Sequence, residues 1–151
     1  MTQNVSLIAR AMKDYYGANE QKIRHFVNVY TLAKTIGELE KLPSTTQEYL
    51  EIAAIVCDID DNKCEVCNSK ARDLLNNNHI EFDIVDRVCY IVEHFDDYDH
   101  ITGLDHQILL EAHMIVDFKE HNTPRTEIIN SANKYFMTNY GRAFLKRAFN
   151  V

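Results

Sequence analysis

Three places in this 151-residue chain set ionisable side chains within otherwise apolar stretches: His25, the adjacent Cys57 and Asp58 of AAIVCDIDDN, and His113 with Asp117 in LLEAHMIVD. Residues 113 and 117 are four apart, so on a helix they project from one face. Burying such groups unpaired is costly, so they must satisfy one another or bind something. Two chemistries meet that demand. In one, His25 and His113 are core histidines hydrogen-bonded to carboxylates, with Asp58 a structural partner at a helix end. In the other, the groups form a metal centre, because imidazole, thiolate and carboxylate are the side chains that ligate divalent cations.

The elements that must position these groups are helical. From Gln21 to about Glu40, Ile23, Phe26, Val27, Tyr30 and Ala33 recur at helical spacing, with His25 on the rim of the apolar arc. Pro43 closes that segment, and Ser44 with Gln47 reads as a capping box opening a helix to about Asp58. Residues 59 to 69 are polar and read as a loop. SKARDLLNNN is a short helix, and Glu81 to His94 carries Ile84, Val85, Val88, Ile91 and Val92 at helical spacing. From Leu104 to Glu120 apolar residues cover nearly the whole circumference, which predicts a central helix. Thr123 as N-cap with Pro124 at the first helical position opens another to about Phe136, and a short one follows Thr138. The expectation is a compact all-α single domain, residues 1–151, of seven or eight helices.

Composition agrees with that reading. Hydrophobic content is 46%, and four Gly and two Pro are too few for a sandwich of many short strands. The net charge of −7, with no basic block, argues against a nucleic-acid or anionic-membrane partner. No run of 18 apolar residues and no leader-like N-terminus is present, so the expectation is a soluble cytoplasmic protein whose four cysteines are thiols. Oligomeric state is not readable.

The order of three segments carries a resemblance. His25 in HFVNVYTLA, then AAIVCDID, then VEHFDDYDHITGLDHQILLEAHMIVD, with the tail MTNYGRAFLKRAF, resembles the HD-domain superfamily of metal-dependent phosphohydrolases, in its small single-domain bacterial form. The resemblance implies an HD-like fold in which His25 is the first metal ligand, Asp58 the Asp of the His-Asp pair, and His113 stands at the final ligand Asp. Cys57 stands where the family has His. In an alternative register Asp117 takes the place of His113. The exchanged set keeps the family's charge, because a thiolate replaces a neutral imidazole while an imidazole replaces a carboxylate. A thiolate shifts preference toward zinc or iron and away from magnesium or manganese.

By the same resemblance Asp58 is both ligand and catalytic orienter, and His94 is a contact for phosphate. The implied activity is hydrolysis of a nucleotide or another small phosphate ester, in which a divalent ion lowers the pKa of a bound water toward ~7. Its rival is a catalytically inactive relative that serves as a small-molecule sensor or protein-interaction module. Asp60 and Asp61 are candidates to orient a water or second ion. Cys64 and Cys67 read as ordinary loop thiols, and His100, His106 and Asp96 to Asp99 as a solvated loop.

Overall fold

The computed structural model describes residues 2–59, 68–95 and 97–151. The expectations for Asp60, Asp61, Cys64, Cys67 and Asp96 fall outside the described residues. Among those described are eight α-helices and one 3-10 turn, with no strand: α1 (Gln3–Tyr16), α2 (Glu20–Leu39), α3 (Ser44–Val56), α4 (Asn68–Asn77), α5 (Phe82–Glu93), the turn Tyr98–His100, α6 (Gly103–Glu120), α7 (Arg125–Tyr135) and α8 (Asn139–Phe149).

Two helices form the centre. Every residue of α3 from Leu50 to Val56 is buried, and α6 buries an unbroken run from Ile108 to His113. Over those runs the helices have no solvent face, which is what apolar residues around the circumference require. Around them, α2 packs on both, while α1 and α5 pack on α3. Helix α2 contributes Phe26, Val29, Ala33 and Ile36, spaced by three or four so that they form one stripe. Helix α1, which the sequence pattern had not singled out, presents Val5, Ile8 and Met12 at the same spacing. A smaller cluster of Ile115, Ile128, Phe136 and Leu145 joins α7 and α8 to the far side of α6.

Two local expectations are corrected. Ser44 and Gln47 form no capping box: Pro43 is the N-cap of α3, and no side chain caps it. Gln47 instead donates from its side-chain amide to the Lys34 carbonyl of α2. It lies where α2 and α3 approach closely at Gly37, and a Cβ there would collide with Gln47 and Leu50. At α7 the N-cap is Pro124 rather than Thr123, a one-residue shift of the helix start.

His106 is also corrected. It is fully buried in the first turn of α6 rather than part of a solvated loop. Its Nε2–H donates to the His94 carbonyl at 3.2 Å and its Nδ1 accepts from the Thr102 amide at 3.3 Å. Burial pulls its pKa down. It is a neutral tie between the end of α5 and the start of α6. Beside it, Arg87 of α5 holds Asp105, the Thr102 hydroxyl and the Thr102 carbonyl, which closes the same joint with a charged clamp.

Candidate metal centre

The end of α3, the first turns of α2 and the middle of α6 meet at one carboxylate. Asp58, just past the C-cap Cys57, places its Oδ2 atom 2.7 Å from His25 Nε2, 3.0 Å from His113 Nε2 and 3.5 Å from Cys57 Sγ. The four residues singled out in the sequence therefore share a single focus. Asp58 is held there through its backbone, whose carbonyl accepts from the Tyr16 hydroxyl at 2.9 Å. The His113 ring is braced edge-on by Phe95, with ring centroids 4.5 Å apart, and lies 5.2 Å from the His25 ring at nearly a right angle.

Each imidazole is engaged on its other side as well. His25 Nδ1 donates to Glu120, 2.9 and 3.0 Å from its two carboxylate oxygens, and His113 Nδ1 lies 3.0 Å from Asp117 Oδ2. Asp117 thus backs His113 from one turn along α6. Glu120 was not among the residues the sequence suggested, because nothing in its exposed position near the end of α6 marks a partner 95 residues away.

The electrostatics follow from this chain of charges. Burial would push the Asp58 carboxyl up, but the hydrogen bonds from His113 and His25 outweigh it and hold the group well below the usual carboxylate range. Burial lowers His113, yet the bonds to Asp117 and Asp58 win and raise it to about 9. The bond to Asp58 raises His25 despite its partial burial, with Glu120 acting in the same direction. Burial, then the neighbouring Asp58 charge, push the Cys57 thiol well up.

The residues fit a divalent ion. Two triads whose donor atoms all lie within 4.8 Å of one another can hold one: Cys57, Asp58 and His113, and His25, His113 and Asp117. They share His113, and the first keeps the thiol within reach although a cysteine side chain is shorter than an imidazole. In a tetrahedral zinc site the bond lengths put neighbouring donors ~3.3–3.6 Å apart. The spacings of 3.5 Å from Cys57 and 3.0 to 3.3 Å from His113 to Asp58 are close to that. The 2.7 Å from His25 is a charge-assisted hydrogen bond and must open slightly to admit an ion.

His94 stands apart from this focus. It is the C-cap of α5, its Nδ1–H donates to the Tyr90 carbonyl at 3.0 Å, and its ring stacks on Tyr90 with centroids 4.2 Å apart. Among the described residues it makes no hydrogen bond to the cluster, and its link to it is Phe95, the next residue, against His113. His100 pairs with Asp97 at 2.6 Å.

No protein-family model, curated protein or solved structure matches this chain. Among the described residues no helix is long and apolar enough to cross a membrane.

Proposed function

We propose that the protein is an HD-type, metal-dependent phosphohydrolase of a nucleotide or another small phosphate ester. His25, Cys57, Asp58 and His113 hold the ion, which is zinc or iron in preference to magnesium or manganese, and the setting is the cytoplasm, where the thiol stays reduced. The observation that supports this is the meeting of two imidazole Nε2 atoms, a thiol and a carboxylate from three helices at Asp58 Oδ2. When bound, the ion supplies Lewis acidity toward a phosphoryl oxygen and activates a water. Asp58 orients the donor set, and His94, with Nδ1 committed to the Tyr90 carbonyl, keeps Nε2 to meet a phosphate.

A second reading has its own support. His25, His113, Asp58, Asp117 and Glu120 satisfy one another as a network of ion pairs, so a catalytically inactive sensor or interaction module needs no ion there. Metal analysis of protein purified without chelator, alongside Cys57→Ala and a panel of phosphate esters, separates the two. Near-stoichiometric zinc or iron that falls in the variant, with phosphatase activity that falls in step, is expected. Protein that takes up neither metal and hydrolyses no ester refutes the enzyme reading.

A further inference from the structure

Glu120 and Asp117 occupy a role that the candidate ligand set leaves open. An imidazole ligates through one nitrogen, and the hydrogen bond at its other nitrogen decides which nitrogen carries the proton and which way the ring faces. Here both histidines are arranged alike. Nε2 faces the common focus at Asp58 Oδ2, and Nδ1 is bonded to a carboxylate outside it, Glu120 for His25 and Asp117 for His113. Both carboxylates come from the second half of α6, in its last two turns, so one rigid helix sets the facing of a ring on α2 as well as of its own His113.

We propose that Glu120 and Asp117 are the positioning residues of the metal centre, holding His25 and His113 in the tautomer that turns the Nε2 lone pair toward the ion. The proposal rests on the metal reading above and assigns Asp117 an outer place rather than that of a ligand. Carboxylate, imidazole and ion in a row is the arrangement by which outer groups orient a histidine ligand and strengthen it. Glu120 engages His25 Nδ1 through both oxygens, at 2.9 and 3.0 Å, so the ring cannot swing without losing both contacts.

The test uses Zn²⁺ alone, titrated into the full chain against a chromophoric chelator, for wild type, Glu120→Gln, Glu120→Ala and Asp117→Asn. Glu120→Ala is expected to bind about 10–100-fold more weakly than wild type. Glu120→Gln and Asp117→Asn fall between, because their amide oxygens still accept from Nδ1–H while the charge is gone. Long-range ¹H–¹⁵N spectra of the zinc form report the tautomer directly: His25 keeps its Nδ1–H in wild type and Glu120→Gln and loses that single form in Glu120→Ala. Glu120 is exposed and Asp117 half-buried, so these variants are expected to fold, and melting in the presence of chelator checks it. Zinc affinity within twofold of wild type in all three variants overturns the proposal while leaving the metal reading intact. A wild type with no affinity for zinc or iron removes the metal reading itself, and this inference with it.

Discussion

Raising the pH should remove a stabilising proton from the metal-free cluster in a measurable way. His113 is buried, and its pKa moves from 6.5 to about 9 on folding because the bonds to Asp117 and Asp58 outweigh the burial that opposes them. A folded-state pKa above the unfolded value means that the protonated ring stabilises the fold fully below pH 6.5, and that this contribution is lost as pH rises through 9. At ~1.4 kcal/mol per unit of pKa, the contribution is about 3 kcal/mol. Urea unfolding with chelator present, at intervals from pH 6 to 9.5, measures it for wild type and for His113→Gln. Most other titrating groups are common to both proteins, and His25, which shares Asp58 with His113, is followed through its own ring titration. The difference between the two proteins should shrink by about 3 kcal/mol across the range, with most of the change between pH 7 and 9. An NMR titration of the His113 ring should show a midpoint near 9. A difference that stays constant with pH, or a midpoint at or below 6.5, refutes the account of His113 as a protonated ring held between Asp117 and Asp58.

Two further outcomes concern the frame around the site. Gly141→Ala places a Cβ against the Glu111 carboxylate and the Thr138 hydroxyl, both buried, and thermal melting should show a loss of about 1–3 kcal/mol or more. Glu111 cannot move aside easily, since it also accepts from the Met137 and Thr138 amides and the Gln107 side chain. Asp105→Ala leaves the Arg87 guanidinium without its buried partner at the joint of α5 and α6. A loss of about 3 kcal/mol is expected by chemical denaturation.

The legible parts of this molecule are those that depend on neighbours in sequence. The spacing of Ile23, Phe26, Val27, Tyr30 and Ala33 announces a helix, although the stripe it buries runs through Phe26, Val29, Ala33 and Ile36, and the apolar residues around the circumference of α6 announce a central helix. Against such backgrounds His25, Cys57, Asp58 and His113 stand out as groups that need a partner. Helix α1 was harder to see because its apolar residues are few and interleaved with polar ones. The error at Ser44 and Gln47 has a different origin: the pattern for a capping box was present, but Gln47 found a carbonyl on α2 that the pattern could not contain. His106 lay in a run rich in acids and looked solvated, yet it is the first turn of α6 folded back against His94 that buries it.

By itself the sequence determined the helices from α2 onward and the ionisable residues out of place on α2, α3 and α6, because a period of 3.6 residues is a local property of the backbone. Tertiary structure alone decided who pairs with whom. That Glu120 meets His25 across 95 positions, and that Asp58 meets His25 and His113 at one point, follow from how α2, α3 and α6 are laid against one another. Pairing energies act over a few ångströms of space and are indifferent to distance along the chain, so they become readable only once the helices are packed.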